Sequence, residues 1–389
     1  MRIALDCAPR GVGSVEPNPP VGAVIVRDGV EIARGWHGRF GGPHAEREAL
    51  AAARAAGADV RGATMYVTLE PCCHHGKTPP CTDALLDAGI ARVVVAMADP
   101  DEHVAGGGIA QLREAGVAVD VGVCAAEAGE LLAPYVTLRT QGRPWVICKW
   151  AQTADGYLAL PAGRGRWVSG EESRRAVHEL RGLCDAILVG VGTVLADDPL
   201  LTNRGDGPKR PVRVVLDSRL RTPPNSRLVR TAGKTPMLIA TSHFAATNEV
   251  GRADALRAAG AELIELSHAG DELEIGLLLD ELGRRGWTYL LVEGGARVLR
   301  SFVSGGLADE LMVFTSPQSV GDVPQPAGTA PGSAAAAPQS AGAAGEDLPR
   351  FDLADVLDPA LADHPDRPAW RLVEERPSGA DTLRRYRVE

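Results

Sequence analysis

The sequence predicts an α/β protein that is built from two layered domains. Two observations support this fold class. Short runs of apolar and β-branched residues alternate with segments of helical periodicity in both halves of the chain. The 389 residues are also enough for two or three domains that each bury a hydrophobic core. The alternation is interrupted at Gly142-Arg143-Pro144, and we expect the boundary between the domains there.

The first half of the chain begins with a predicted helix and a β-hairpin. Asp28-Gly29 separates two apolar runs, which is a strong signal for a tight hairpin turn. The alanine-rich segment that follows ends at Gly57, as helices often do. The predicted helices cover residues 2–8, 44–56, 82–88, 109–115 and 125–132, and the predicted strands cover 21–26, 30–36, 64–69, 93–97 and 117–121. This half therefore predicts an α/β domain with a partly parallel sheet.

The second half restarts the alternation and predicts another α/β domain. Its predicted strands cover residues 145–150, 186–190, 212–216, 237–241, 262–266, 289–292, 371–375 and 382–388, and its predicted helices cover 171–183, 249–259, 272–285 and 296–303. Gly192-Thr193 is expected to open a loop. Residues 324–345 are mostly Ala, Gly, Pro, Ser and Gln without periodicity, which is typical of disorder. We divide the chain into a domain at 1–123, a linker at 124–143 and a domain at 144–389 that contains a disordered insertion at 317–350.

The composition limits the possible functions. A hydrophobic content of 45% with 23% charged residues is ordinary for a globular enzyme. The net charge of −9 argues against a general nucleic-acid-binding protein, although it leaves room for a local basic pocket that holds a phosphate. No window approaches the roughly 18 consecutive apolar residues of a membrane span. Seven cysteines without a preceding signal peptide indicate a reducing compartment, so we expect a cytoplasmic protein.

The most informative stretch runs from Glu70 to Cys81 and has to be considered together with the Pro-His-Ala-Glu motif that contains His44 and Glu46. His44, Cys72 and Cys81 offer one imidazole and two thiolates, which suit zinc. Three protein ligands leave the fourth tetrahedral position for water, as in catalytic zinc sites, and Glu46 can carry a proton to and from that water. The H-x-E…P-C pattern is typical of zinc deaminases that act on nucleobase-like rings. The two cysteines are separated by eight residues, however, rather than by two.

A closed structural zinc site is the main alternative, because Cys73, His74 or His75 could supply a fourth ligand. Structural sites favour cysteine pairs that are about two to four residues apart, and they have no use for a glutamate beside the histidine. Predicted helices also begin at His44 and near Cys81, and the positive potential of a helix N-terminus favours thiolates there. We therefore favour a catalytic site.

Two glycine pairs in the second half are candidates for binding a dinucleotide phosphate. Gly190-Val-Gly-Thr193 and Glu293-Gly-Gly-Ala296 each follow an apolar strand, and the second leads directly into a helix N-terminus, where anions bind readily. Neither matches the G-x-G-x-x-G fingerprint, and glycines after strands are also common in plain turns. The residues alone leave both interpretations open.

The order of these motifs resembles that of the bifunctional riboflavin-biosynthesis deaminase/reductase family. In the first half the resemblance is carried by Asn18–Gly22, Pro43–Glu46, Thr68–Cys72, His74–Cys81 and Asp99-Pro100 with Val104–Gly106. It implies a cytidine-deaminase-like three-layer α/β domain, in which a zinc-activated water displaces an amino group from a pyrimidine. It also implies that Asn18, His37, His74 and Lys77 surround the pyrimidine and its ribose phosphate. An amide can read a ring edge, and a lysine supplies a point charge for phosphate.

The second half resembles the reductase half of the same family, which is similar in fold to dihydrofolate reductase and uses NADPH as hydride donor. The matching segments are Lys149–Gly156, Trp167–Ser169, Arg181, Gly190–Thr202 and Glu293–Gly295. The resemblance implies NADPH contacts from Ala151, Trp167, Ser169, Thr193, Asp197, Gly295, Ala296 and Arg297, the last three within a stretch that extends to Ser301. It implies substrate contacts from Lys149, Arg181, Leu201, Arg204 and Glu293.

Several positions depart from the pattern of the family. Asp101-Glu102 replaces a usual Asn-Pro, and Gly107 stands where the family usually has Arg. In the second half Gly165 stands where a substrate-binding Ser is often found, and the segment after Phe314 differs. The departures in the first half are expected to weaken phosphate contacts near the active site without touching the zinc ligands. Those in the second half are larger, and they are expected to affect the efficiency of the reductase rather than its existence.

The resemblance implies a cytoplasmic bifunctional enzyme. It would deaminate 2,5-diamino-6-ribosylamino-4(3H)-pyrimidinone 5′-phosphate at zinc and then use NADPH to reduce the ribosyl group, giving 5-amino-6-ribitylaminouracil 5′-phosphate. We expect a small phosphorylated pyrimidine as the partner, no nucleic acid or membrane, and a homo-oligomer, either a dimer or a tetramer. The alternatives are a deaminase with an impaired reductase domain, a nucleic-acid-editing zinc deaminase, and a non-enzymatic binding or regulatory protein with a structural zinc. The acidic charge argues against nucleic-acid editing.

Overall fold

The chain forms two α/β units, each with its own sheet, as the sequence predicts. The computed structural model describes residues 1–101, 104–161, 163–165, 167–205, 207–269, 272–320, 348–357 and 369–388. One unit contains Met1–Trp145, Gly207–Lys209 and Leu279–Tyr289, and the other contains Val146–Asp206, Arg210–Leu278 and Leu290–Glu389. None of the helices in the described ranges combines the length and the apolar character needed to cross a membrane.

The first unit contains a five-stranded sheet. Its strands are β1 (Gly22–Arg27), β2 (Val30–Trp36), β3 (Thr64–Val67), β4 (Arg92–Val95) and β5 (Ala118–Val121). Its helices are α1 (Arg2–Cys7), α2 (Ala45–Ala55), α3 (Cys81–Asp87), α4 (Gly107–Glu114) and α5 (Ala125–Gln141), and a 3₁₀ turn covers Ala8–Gly11. In the order β2-β1-β3-β4-β5 the first two pairings are antiparallel and the last two are parallel. The partly parallel sheet expected from the first half is therefore present.

Local sequence explains the hairpin and the packing of α2. Asp28 and Gly29 both adopt positive φ, at 51° and 79°, which a two-residue type I′ turn requires. A Cβ added at Gly35 of β2 would lie 2.3 Å from the backbone nitrogen of Ala49, so only glycine lets α2 pack this close to the strand. This packing fixes the N-terminus of α2, where His44 is the N-cap.

Helix α5 falls in the segment 124–143, which the sequence predicts to link the domains. The helix ends at Gln141 rather than at residue 132, and Pro134 lies in its interior. Leu132 and Tyr135 belong to the buried core of the first unit, together with apolar side chains of the sheet. Burial of this face stabilises the helix beyond a proline that removes one backbone donor.

The second half of the chain folds around a nine-stranded sheet. The strands are β6 (Trp145–Gln152), β7 (Ala186–Gly190), β8 (Val212–Leu216), β9 (Met237–Ser242), β10 (Ala261–Leu266), β11 (His268–Ala269), β12 (Glu272–Leu273), β13 (Tyr289–Val292), β14 (Glu310–Thr315), β15 (Trp370–Ser378) and β16 (Asp381–Val388). The helices are α6 (Glu171–Arg181), α7 (Val191–Asp197), α8 (Arg227–Arg230), α9 (His243–Asn248), α10 (Val250–Ala258), α11 (Ile275–Arg284), α12 (Ala296–Ser304) and α13 (Leu353–Leu357). Strands β11 and β12 form a separate small hairpin.

The strand order of the large sheet brings the glycine motifs to one edge. The order is β10-β9-β8-β7-β13-β6-β14-β16-β15, and β7 pairs with β13 in parallel. Parallel neighbours end at the same edge of a sheet, where ligands bind in open α/β folds. Gly190 at the end of β7 and Glu293 after β13 therefore lie at this shared edge.

Two predictions about local structure in this half are wrong. Gly192 and Thr193 do not open a loop, because they lie in helix α7. Val191 and Val194 of this helix are buried, and their burial outweighs the low helix propensity of Gly and Thr. The helix predicted at 272–285 begins only at Ile275, because β12 precedes it. Strand β14 and helices α8, α9 and α13 were not predicted at all.

The predicted disordered insertion at 317–350 has ordered ends. Residues 321–347 lie outside the described residues, whereas 317–320 and 348–350 form hydrogen bonds with neighbouring loops. The Val320 N–H donates to the Asp155 carboxylate at 2.9 Å, and the Leu158 N–H donates to the Pro349 carbonyl at 2.8 Å. These two ends are therefore part of the folded second half of the chain.

Candidate functional site

His44, Cys72 and Cys81 converge at one point of the first unit. His44 caps α2, Cys72 follows β3, and Cys81 is the first residue of α3. The His44 Nδ1 atom lies 3.5 Å from the Cys72 sulfur and 3.4 Å from the Cys81 sulfur. Zinc with ordinary Zn–N and Zn–S bonds in a tetrahedron separates such ligand atoms by about 3.6 Å. The three side chains therefore fit a zinc ion as they stand.

The protein supplies three ligands to this site rather than four. Within the described residues, the His44, Cys72 and Cys81 ligand atoms form the one group of three or more that lies within 4.8 Å. Cys73 and the exposed His74, which could have closed a structural site, are not members of the group. The geometry therefore leaves a coordination position for solvent or substrate.

The two sulfurs of the site influence each other's protonation. A hydrogen bond from the Cys81 thiol, reinforced by His44, lowers the pKa of Cys72 to about 4. The same hydrogen bond, together with burial, raises the pKa of the Cys81 thiol. The Cys81 sulfur therefore holds the proton of the pair, and a bound divalent cation favours its loss.

Glu46 lies in the first turn of α2, two residues after His44. The residue is 3% exposed, and this burial raises the pKa of its carboxyl group against the opposing effect of His44. A carboxyl group whose pKa lies above its ordinary value holds a proton more readily, as a group that takes and returns a proton must. This environment suits the proton shuttle that the sequence predicts.

Asn18 and His37 lie beside the metal ligands. The ring centroids of His37 and His44 are 5.1 Å apart. His37 Nδ1 lies 2.9 Å from the Pro43 carbonyl, which can only accept, so Nδ1 carries the proton. His37 Nε2 then accepts from the Asn18 amide at 3.2 Å. Burial lowers the pKa of His37, so the ring is neutral at pH 7 and fixes the orientation of Asn18.

Lys77 and His74 lie on the loop between the two cysteines, and both are exposed. The Lys77 ammonium group lies 3.7 Å above the centroid of the Phe40 ring, a cation–π contact that holds the lysine over the 39–42 segment. Phe40 is 44% exposed and was not singled out in the sequence. Among the described residues, no hydrogen bond or ion pair joins His74 to the other predicted side chains.

Three of the predicted reductase residues form one buried ion-pair cluster. Arg181, the last residue of α6, binds both oxygens of Glu293 at 2.6 and 2.9 Å, and the Lys149 ammonium group lies 3.4 Å from Glu293 Oε2. Burial alone would raise the pKa of Glu293, but the charges of Arg181 and Lys149 outweigh it and lower the pKa to about 2. Burial lowers the pKa of Lys149. The cluster carries a net positive charge, which suits an anionic substrate.

Leu201 and Arg204 follow this cluster on one loop. The Arg181 guanidinium donates to the carbonyl of Thr202 at 3.3 Å, which ties the loop to the ion pairs. Leu201 is buried and adopts a positive φ of 49°, whereas Arg204 is exposed. The structure thus places four of the five predicted substrate residues on connected elements and leaves the Arg204 side chain in solvent.

The glycines after β7 and β13 allow α12 to approach the sheet edge. A Cβ at Gly294 would lie 2.5 Å from the Val298 Cβ, and one at Gly190 would lie 2.7 Å from Val298 Cγ2. Gly295, the N-cap of α12, faces open space. The unpaired N–H groups at the start of this nine-residue helix are accessible there, so the segment fits the pyrophosphate of a dinucleotide.

The other predicted NADPH residues lie in three segments. Ala151 is in β6, Trp167 and Ser169 precede α6, and Thr193 and Asp197 are in α7. The ring of Trp167 is 55% exposed and contacts an arginine of α6. In α12, Ala296 lies at the helix N-terminus, and the exposed side chain of Arg297 pairs with Glu272 at 3.5 Å rather than lying free for a phosphate.

Comparison with known proteins identifies both halves. A family model described as the cytidine and deoxycytidylate deaminase zinc-binding region matches residues 1–97, and one described as the RibD C-terminal domain matches residues 144–340. The chain is 42% identical to the riboflavin biosynthesis protein RibD of Aquifex aeolicus, over 83% of this chain and 87% of that protein. It is 39% identical to the RibD of Escherichia coli, over 82% of this chain and 88% of that one.

The chain belongs to the RibD family. Solved structures agree in overall fold. A Thermotoga maritima diaminohydroxyphosphoribosylaminopyrimidine deaminase/5-amino-6-(5-phosphoribosylamino)uracil reductase is 35% identical, with a TM-score of 0.77 over 100% of this chain and 97% of that one. Acinetobacter baumannii RibD is 30% identical, with a TM-score of 0.78 over 100% of this chain and 98% of that one.

The main functional hypothesis is thereby confirmed. The chain is a bifunctional enzyme of riboflavin biosynthesis, with a zinc-dependent deaminase domain and an NADPH-dependent reductase domain. The cytidine-deaminase-like fold of the first half and the RibD reductase fold of the second are confirmed as well. These findings favour two activities over a deaminase with an impaired reductase and over a nucleic-acid-editing deaminase.

Two residues beside the metal site were not assigned a role from the sequence. Glu70 is a buried glutamate directly before Pro71, and this unusual burial can be recognised only once the strand and the following loops are placed. Gln111 contacts α3 from α4 across 29 residues. A partner so distant in sequence leaves no local signal for its role.

Proposed function

We propose that this chain deaminates 2,5-diamino-6-ribosylamino-4(3H)-pyrimidinone 5′-phosphate and then reduces the ribosyl group of the product to a ribityl chain. The observation that carries the proposal is the pairing, in one chain, of an open His-Cys-Cys site beside Glu46 with a positively charged cluster beside the glycine-lined helix α12. The Thermotoga maritima protein, whose structure resembles this one, is described by the same two activities.

In the deaminase domain we assign the zinc ligands to His44, Cys72 and Cys81. Bound zinc supplies an activated water for attack on the ring carbon that carries the amino group. Glu46 holds the proton that this water loses and returns it to the departing nitrogen, a role that is supported by the burial that raises the pKa of its carboxyl group above the ordinary value. The amide of Asn18, oriented by neutral His37, contacts the edge of the pyrimidine.

The remaining deaminase contacts belong to the ribose phosphate. Lys77 lies over Phe40 and presents a positive charge on the loop that joins the two cysteines. A phosphate that displaces water around this ammonium group gains a direct charge interaction. We assign His74 to the same group, since it lies three residues away on the same exposed loop.

In the reductase domain Lys149, Arg181 and Glu293 hold the substrate together with Leu201 and Arg204. Bound NADPH supplies the hydride for the C1′ carbon of the opened ribosylamine. The ion pairs keep the Lys149 ammonium group in place, and the residual positive charge attracts the phosphorylated substrate. The cluster thus orients the carbon that must come within about 3–3.5 Å of the nicotinamide.

The cofactor contacts are assigned to the sheet edge. The N-terminus of α12, from Gly295 to Arg297, binds the pyrophosphate through backbone N–H groups. The predicted contacts from the other segments surround the rest of the dinucleotide, namely Ala151, Trp167, Ser169, Thr193 and Asp197. We keep 1–123 as the deaminase domain, 124–143 as the linker and 144–389 as the reductase domain.

The cellular setting follows from the chemistry of the chain. None of the seven cysteines forms a disulfide in the described residues, as expected in a reducing cytoplasm, and we place the enzyme there. We also propose that it works as a homo-oligomer, a dimer or a tetramer. Size-exclusion chromatography with light scattering measures that state, and a monomer at micromolar concentration contradicts it.

Metal analysis followed by two coupled assays tests the function. We expect about one zinc ion per purified chain, ammonia release from the diaminopyrimidine, and NADPH oxidation only after ammonia has been released. Ammonia release without NADPH oxidation would support the deaminase-only alternative. Deamination of cytosine or adenine in single-stranded RNA or DNA would support the editing alternative instead.

A further inference from the structure

Helix α4 (Gly107–Glu114) carries no metal ligand but contacts both segments that carry the metal-binding cysteines. The first contact is very close. A Cβ at Gly108 would lie 1.9 Å from the Pro71 carbonyl oxygen, so the helix backbone lies directly against the residue before Cys72. This approach is possible only because position 108 is glycine.

Glu70 joins the segment before Cys72 to the start of α4. Its carboxylate is 4% exposed and accepts four backbone hydrogen bonds. Oε1 accepts from Gly108 at 2.9 Å and from Ile109 at 3.1 Å, whereas Oε2 accepts from Gly106 at 3.0 Å and from Asp99 at 3.2 Å. The carboxylate thus satisfies free N–H groups at the helix start, where a negative charge is favoured.

Gln111, one turn further along α4, contacts the start of α3 on the other side. The Thr82 hydroxyl donates to Gln111 Oε1 at 2.9 Å, and Gln111 Nε2 donates to Asp83 Oδ1 at 3.2 Å. Thr82 and Asp83 directly follow Cys81. The N–H groups of Cys81 and Thr82 in turn donate to the Cys72 carbonyl at 3.0 and 3.2 Å. The two cysteine segments are therefore joined to each other and to the same helix.

The long spacing of the cysteines explains why such a connection matters. In deaminases with a C-x-x-C pair, the short spacing itself holds the two sulfurs close together. Here eight residues separate Cys72 from Cys81, and most of them are exposed, so the sequence spacing alone does not set the distance between the two sulfurs. Contacts outside the loop have to do so.

We propose that Glu70 and Gln111 are positioning residues of the metal centre, which fix helix α4 against the Cys72 and Cys81 segments and so set the distance between the two sulfurs. The inference depends on the zinc site assigned under the proposed function. It assigns these residues to holding the zinc ligands and not to contact with substrate. Partners of metal ligands typically change metal affinity about 10- to 100-fold when they are lost.

The test compares zinc affinity in Glu70→Gln, Gln111→Leu and a control, Glu114→Gln, in the full chain. Glu114 is an exposed residue of the same helix, so its substitution removes the same charge without touching either cysteine segment. Competition with a chelator gives the zinc affinity. We expect a loss of about 10- to 100-fold in Glu70→Gln, a smaller loss in Gln111→Leu and none in the control.

Two further measurements separate positioning from a general loss of stability. Cobalt substituted for zinc absorbs visible light according to its coordination geometry, so we expect altered spectra in Glu70→Gln and Gln111→Leu but not in the control. NADPH oxidation on the deaminated substrate reports the fold of the other domain in the same chain, and it should be unchanged. A purely structural role would lower the unfolding temperature but leave the cobalt spectrum of the folded protein as it is.

The outcomes distinguish the two proposals. Zinc affinity and cobalt spectra equal to wild type in both variants would overturn the positioning role while leaving the zinc site intact. A wild-type chain that binds no zinc would overturn the site itself. If Glu70→Gln fails to fold, Gln111→Leu decides, and unchanged zinc affinity there overturns the proposal.

Discussion

The two active sites of this chain are built in opposite ways. The zinc site joins side chains within 37 residues of sequence, each directed by the start of a helix or the end of a strand. The reductase cluster joins Lys149 and Glu293 across 144 residues, and its members are held by charge complementarity inside the fold. The first site is therefore evident in a short motif, whereas the second exists only when distant strands are paired.

The difference also affects how each site tolerates change. In the zinc site the buried Glu46 is not one of the three metal-ligating residues, so we expect its replacement to leave these ligands in place. The reductase cluster has three charged side chains that are between 8% and 16% exposed, and each one compensates another. Loss of one charge there should affect both stability and function.

The largest expected effect is that of Glu46→Gln on deamination. The amide cannot carry the proton, so ammonia release should fall by about 10²- to 10⁴-fold, while zinc content and NADPH oxidation on added deaminated substrate remain unchanged. Ammonia release measured beside metal content checks this. Glu48→Gln, on the same helix, is the matched control and should keep full activity. Undiminished ammonia release in Glu46→Gln would refute the shuttle.

The next largest effect is expected from Glu293→Gln in the reductase half. Arg181 and Lys149 then lose their common partner, which should cost about 3–5 kcal/mol in the free energy of unfolding of this half. NADPH oxidation should be lost with it, whereas ammonia release should persist. Thermal unfolding measures the loss of stability, and the ammonia-release and NADPH-oxidation assays measure the two activities separately. Equal loss of ammonia release and NADPH oxidation would show that the two active sites do not function independently.

Gly294→Ala should have an intermediate effect. The new methyl group would lie 2.5 Å from the Val298 Cβ, so α12 has to move, at a cost of about 1–3 kcal/mol in stability. The affinity for NADPH should fall, because the N-terminus of α12 moves with the helix. Gly276→Ala in α11 is the control, since its Cβ meets open space and alanine favours a helix by up to about 1 kcal/mol. Fluorescence titration with NADPH and urea unfolding measure both variants.

The effect that is smallest near neutral pH is a pH dependence of the stability of the reductase half, which appears only in acid. The pKa of Glu293 is lowered from 4.5 to about 2, so its ionised form stabilises the fold. This stabilisation is fully present above pH 4.5 and is lost as the pH falls towards about 2. Urea unfolding across this range should show a shallower pH dependence in Glu293→Gln than in wild type. If the free energy of unfolding changed equally with pH in Glu293→Gln and wild type, Glu293 would not contribute to the stability in this way.

The sequence by itself determined the chemistry of the first site and the architecture around it. The sequence predicted His44, Cys72 and Cys81 as one metal site from their residue types and the H-x-E…P-C pattern, and the structure brings these three side chains together. The alternation of strands and helices likewise determined two α/β domains. The Asp28-Gly29 hairpin was predictable because its turn requires positive φ at both positions, and Asp and Gly are residues that adopt positive φ readily.

Tertiary structure alone decided the features that depend on partners distant in sequence. Cys73 lies outside the group of metal-ligating residues. Gly192 and Thr193, two poor helix formers that predict a loop, lie in helix α7. Helix α5 continues past Pro134 and packs into the core. Tertiary structure also brought Gln111 to α3. Local propensities are worth fractions of a kilocalorie per residue, whereas burial of an apolar side chain is worth about 1.5–3 kcal/mol, so packing decides wherever the two conflict.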